Sequence, residues 1–106
     1  MNKKYMYRYD YYKGLYGGSP RMQLLKYEIL RETPCGYWID LGDLIPAGTK
    51  REKWVSKNSG GFAQETKEAA LKRFIRRKQN YLLILKSKIY EVEKVIKAAK
   101  REEENQ

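Results

Sequence analysis

The sequence predicts an α+β chain: an antiparallel meander of four or five strands, then one long C-terminal helix that packs on the sheet and oligomerises. Three observations carry this expectation. All eight Gly and all three Pro lie at or before Gly61, so no backbone breaker interrupts a helix beyond it. Over that same stretch apolar residues recur in alternating steps of four and three, the 3.5-residue repeat of a helical seam. Before Gly61, short runs rich in Tyr, Trp and Ile are separated by Gly- and Pro-bearing turns, which is the signature of strands. The 106 residues are expected to form a single domain, with sheet over 1–63 and helix over 64–102.

The first strand is expected over Lys4 to Tyr12. Tyr5, Tyr7, Tyr9 and Tyr11 fall on one face, and Met6, Arg8, Asp10 and Tyr12 on the other. The tyrosine row is either a cross-strand aromatic ladder or a stacking surface for bases. Gly14, Gly17, Gly18, Ser19 and Pro20 make a turn cluster. Met22 to Arg31 is the second strand. Its Gln23, Leu25, Tyr27, Ile29 and Arg31 share a face, which is the core side through Leu25, Tyr27 and Ile29.

Thr33-Pro34-Cys35-Gly36 supplies a tight turn, and Tyr37 to Leu41 is the third strand. A loop carrying Pro46 and Gly48 leads to a fourth strand over Lys50 to Lys57, where Trp54 sides with Glu52 and Ser56. Asn58-Ser59-Gly60-Gly61 turns the chain, and Phe62-Ala63 is a candidate fifth strand. Thr66 is placed to cap the helix, with Glu68 in its first turn to meet the dipole. Leu71, Phe74, Ile75 and Tyr81 are expected to cover the sheet. Leu82, Leu85, Ile89, Val92 and Ile96 then form a seam between copies of the chain, with Lys78 as its polar entry. Glu102-Glu103-Glu104 is the wrong charge for a helix C-terminus, and fraying is expected there.

Composition narrows the chemistry. There is no His and a single Cys, Cys35. That excludes a Ser-His-Asp triad, a Cys-His nucleophile and an ordinary zinc site within one chain. It also excludes an internal disulfide, which suits a reducing cytoplasm. The remaining acids, Asp40 and Asp43 among them, have no spacing that fixes two carboxylates on one bond. The chain is expected to be no enzyme, with no metal and no cofactor. No apolar run is long enough to cross a membrane, and the start, Met1-Asn2-Lys3-Lys4-Tyr5, has no apolar signal core; the host cell cytoplasm is the expected location.

Lys and Arg number 23 against 13 Asp and Glu, a formal charge of +10, which points to an anionic partner. The excess is local: residues 67–88 hold eight basic side chains and one acid, whereas residues 89–106 hold four basic and five acidic. Arg73, Arg76 and Arg77 lie off the seam. With Arg51 and Lys53 on the fourth strand and Trp38 and Trp54 as stacking platforms, they are the candidate ligand-binding residues.

The stretches Tyr27-Glu28-Ile29-Leu30-Arg31-Glu32-Thr33-Pro34-Cys35-Gly36-Tyr37-Trp38-Ile39, Lys53-Trp54-Val55-Ser56-Lys57 and Phe62-Ala63-Gln64-Glu65-Thr66-Lys67-Glu68-Ala69-Ala70-Leu71 resemble a recurrent type of small phage and prophage protein. With the helix that follows, the resemblance spreads over residues 27 to 96. It implies a role in countering bacterial immunity. In layout the chain is similar to the Thoeris anti-defence sponges, which bind a cyclic ADP-ribose-type signal between protomers without cleaving it; no ligand residue carries over. The expected function is sequestration of an anionic nucleotide signal by a homo-oligomer. The alternatives are an anti-CRISPR inhibitor that binds an effector nuclease or its nucleic acid, and a general nucleic-acid-binding protein.

Overall fold

The computed structural model describes residues 2–13, 18–43, 45–58 and 60–106. Gly14 and Gly17 of the expected turn cluster, Leu44 of the loop and Ser59 of the last turn lie outside the described residues. Among the described residues four strands and one helix follow in order: β1 (Tyr5–Tyr12), β2 (Arg21–Glu32), β3 (Gly36–Asp40), β4 (Glu52–Ser56) and α1 (Lys67–Glu104). The strands form one antiparallel sheet in the order β1-β2-β3-β4, so the meander expected from the sequence is the fold observed. The chain divides into two compact units, Met1–Phe74 and Ile75–Gln106.

In the first unit the pairing register decides which side of each strand is buried. Met6 lies opposite Tyr27, Ile29 opposite Ile39, and Tyr37 opposite Val55, so these residues share one face of the sheet. That face holds the core of Met6, Ile39, Val55 and Ala63, with Tyr27, Ile29, Tyr37, Leu41 and Phe62 packed around it. The four tyrosines of β1 therefore belong to the opposite face, because side chains alternate along a strand.

Phe62 and Ala63 form no strand. The pairing falls one residue later, where Gln64 and Tyr7 exchange backbone hydrogen bonds of 2.7 Å in both directions. Since β4 and β1 are opposite edges of the sheet, the segment between Ser56 and Gln64 must cross it, and it lays Phe62 and Ala63 over the core. The crossing is close. A Cβ on Gly61 would sit 2.8 Å from the Ser56 carbonyl oxygen and 3.2 Å from Val55 Cγ1. Arg8 ties the crossing down by donating to the Phe62 carbonyl at 2.8 Å, with its guanidinium 4.4 Å from the Phe62 ring centre.

Thr66 caps α1 as expected: its Oγ1 accepts the Ala69 N–H at 3.1 Å, and its carbonyl accepts the Ala70 N–H at 3.0 Å. The first turns of α1 meet β1, with Phe74 edge-on to Tyr11 at 6.3 Å and Lys67 5.8 Å from the Tyr7 ring. The buried helix residues are Ala70 and Phe74. Leu71, Ile75 and Tyr81, expected as part of the cover, are instead 36%, 47% and 53% exposed. For Leu71 and Ile75 the reason is angular: Ala70 and Phe74 are four apart on one stripe, and the seam residues lie on the next stripe round the helix, whereas Tyr81 shares the Phe74 stripe and belongs to the second unit.

In the second unit α1 runs on through the acidic stretch to Glu104, so the expected fraying at Glu102 is not seen. None of its residues is buried.

Candidate binding face

Two tryptophans face each other across the β3–β4 pair, on the side of the sheet away from the core. Trp38 lies directly opposite Trp54, while Ile39, the next residue, lies opposite Lys53 on the core side. Trp38 is half-buried and Trp54 is 42% exposed. Gly36 makes this arrangement possible. A Cβ there would lie 2.7 Å from Cε2 and Cζ2 of Trp54 and would collide with the Val55 carbonyl oxygen, so the indole rests on bare backbone.

Arg31 joins this face through an irregularity. Strict alternation puts Arg31 on the same side as Ile29, but the β2–β3 register shifts between them, and Arg31 comes to lie opposite Trp38. Its guanidinium carbon is 5.5 Å from the Trp38 ring centre. It also reaches across β3 to Glu52, with Nη2 to Oε2 at 2.9 Å and Nη1 to Oε1 at 3.4 Å. These hydrogen bonds hold the Glu52 carboxyl below, and the Arg31 guanidinium above, their ordinary ranges. Sequence reasoning missed Arg31 because nothing in the local pattern at Leu30 announces a bulge.

Arg51 forms the second fork on this edge. Its Nε and Nη2 donate to the two oxygens of Asp40 at 2.7 and 3.1 Å, and its Nη1 donates to Asp43. The Arg51 hydrogen bonds, then the Gly42 N–H at 2.8 Å, depress the Asp40 carboxyl. Asp40 and Glu52 are register partners, so both forks flank the tryptophan pair. Exposed pairs of this kind add little to stability; their effect here is to orient the arginines and offset their charge.

Of the remaining expected site residues, Lys53 and Arg73 of the first unit have other neighbours. Lys53 is on the core side, with its Nζ 5.1 Å from the Phe62 ring. Arg73 is half-buried, and its Nη2 lies 3.9 Å from where a Cβ of Gly60 would be. Arg76, exposed, and Arg77, half-buried, belong to the second unit. Of the seven, the structure brings together Trp38, Trp54 and Arg51. On the core side, Tyr37 donates to Glu65 at 2.7 Å, which pushes its phenol up to about 12, and Lys57 binds Glu32 at 2.7 Å.

Among the described residues no three His, Cys, Asp or Glu side chains are grouped to hold a metal ion. Among the described residues no helix is long and apolar enough to cross a membrane. A scan against protein-family models finds no match, and neither does comparison with curated proteins or with solved structures.

Proposed function

We propose that this protein binds an anionic nucleotide without transforming it, in the manner of the anti-defence sponges whose layout it resembles. The reading includes action in the host cell cytoplasm and a homo-oligomeric state built on Leu82, Leu85, Ile89, Val92 and Ile96, which are 38–59% exposed. One observation carries it: Trp54, 42% exposed, sets Cε2 and Cζ2 of its indole against the bare backbone of Gly36, opposite Trp38 in the strand register. A large indole seated on backbone and partly exposed offers a stacking platform, worth about 1–3 kcal/mol per stacked base. The +10 charge of the chain draws anions toward it. Because Arg31 and Arg51 are already held by carboxylates, they fix the rim of the platform, and the base provides most of the binding energy.

Calorimetry and indole fluorescence against cyclic and linear nucleotides test the reading. A binding isotherm that quenches Trp fluorescence, weakened at least about tenfold by Trp54→Ala, is the expected result. Absence of heat across the panel overturns it, and a stable complex with an effector nuclease in that case favours the anti-CRISPR alternative.

A further inference from the structure

The second unit carries a strip of large apolar side chains with no cover. The seam positions 78, 82, 85, 89, 92, 96, 99 and 103 are occupied by Lys, Leu, Leu, Ile, Val, Ile, Ala and Glu. The six inner positions are apolar and the two outer ones carry opposite charges. The steps between them, four and three in turn, read the same in both directions about a point between Tyr90 and Glu91.

We infer that a second copy of this chain covers the seam, running antiparallel, in the single register that sets Ile89 against the partner's Val92. This deepens the self-association in the function proposed above, and it is independent of the nucleotide. In that register Leu82 meets the partner's Ala99 and Leu85 the partner's Ile96, each pair occurring twice by symmetry. The overlap from Lys78 to Glu103 spans about 37 Å at a 1.5 Å rise per residue.

Charge selects this orientation. Antiparallel, Lys78 meets the partner's Glu103 at both ends of the apolar strip. Parallel, Lys78 meets Lys78 and Glu103 meets Glu103, like charges inside the seam. Beside the seam, Lys86 and Glu93 follow Leu85 and Val92, and in the antiparallel register each faces the other across the dimer. A parallel pair would gain Lys88 beside the partner's Glu93, a solvent-exposed rim contact of little weight. Against that it would stack the basic 67–88 stretch, eight positive side chains and one acid, on its own copy. The antiparallel pair instead lays that stretch against the Glu102-Glu103-Glu104 end. Sliding either way by one heptad sets Lys86 against Lys86 or Glu93 against Glu93, so neighbouring registers are disfavoured.

Cross-linking separates the orientations. Cys35 is exposed and is first replaced by Ser. In that background Leu82→Cys mixed with Ala99→Cys is expected to yield an oxidised heterodimer, and either variant alone none. Two copies of residue 82 would lie about 25 Å apart in the antiparallel pair, far beyond disulfide reach. A disulfide in Leu82→Cys alone overturns the proposal in favour of a parallel pair. A monomer mass of 12.6 kDa for the full chain by light scattering overturns self-association itself, whatever the nucleotide titration shows. As a second measurement, Lys78→Glu and Glu103→Lys are each expected to weaken the dimer roughly tenfold, and the two together to restore it to within about threefold. Equal affinity of the Lys78→Glu variant and the parent chain is the result for a parallel pair and overturns the proposal.

Discussion

Residues up to Phe74 and residues from Ile75 onward use apolar side chains in opposite ways. The first unit has few fully buried residues, Met6, Ile39, Val55, Ala63 and Ala70, yet each is 2% exposed or less. The second carries more large apolar residues than that, and Leu82, Ile84, Ile89, Val92, Val95 and Ile96 are all 48–62% exposed. The sheet can be covered by its own chain, because a strand has two faces and the segment carrying Phe62 and Ala63 returns across one of them. A lone helix has no such option, and its apolar stripe stays uncovered until another surface meets it. The comparison teaches that composition alone does not separate core from interface; topology does.

The contrast breaks most sharply at Ile39. Ile39→Ala is expected to lose about 2–5 kcal/mol of stability in urea unfolding, since the residue is fully enclosed. Ile89→Ala should leave that transition of the first unit in place. Equal losses at the two positions would show that the units are not separate in stability. Next in size is Gly36→Ala: its Cβ would collide with the Val55 carbonyl, and backbone cannot swing aside as a side chain can. A loss of about 1–3 kcal/mol with a shifted Trp emission is expected. Thr66→Ala removes the acceptor of the Ala69 N–H and should cost about 1 kcal/mol, read as loss of helix signal at the junction.

The smallest effect concerns pH. The Tyr37 phenol, bonded to Glu65, is pushed up to about 12 from an ordinary 10.0. A folded-state value above the unfolded one means that the contribution is complete below pH 10 and is lost as pH rises toward 12. Tyr37→Phe should abolish that alkaline step in melting temperature. Glu32, Asp40 and Glu52 are shifted downward by Lys57, Arg51 and Arg31, so their contribution is present above the ordinary carboxylate range and fades as acid protonates them.

Several elements were legible in the sequence for definite reasons. The Gly and Pro turns bracket the strands within a residue or two, Thr66 caps the helix, and the absence of breakers after Gly61 lets it run. Period-two alternation put Trp54 with Glu52 and Ser56, which is how the register places them. The candidate site was only half legible. Trp38 and Trp54 meet because β3 and β4 pair in one register among many, and no local signal selects it. Arg31 changed face at a bulge, and Arg51 was claimed by Asp40 and Asp43 across the β3–β4 loop.

By itself, the sequence determined the element order, the seam and the charge gradient along α1, because periodicity, breakers and charge are properties of neighbours in the chain. Tertiary structure decided which face of each strand was buried, that Ala70 and Phe74 rather than Leu71 cover the sheet, and which arginines keep acidic company. Those outcomes depend on contacts between residues tens of positions apart, such as Arg8 with Phe62 and Arg31 with Glu52, and local pattern carries no information about separations of that length.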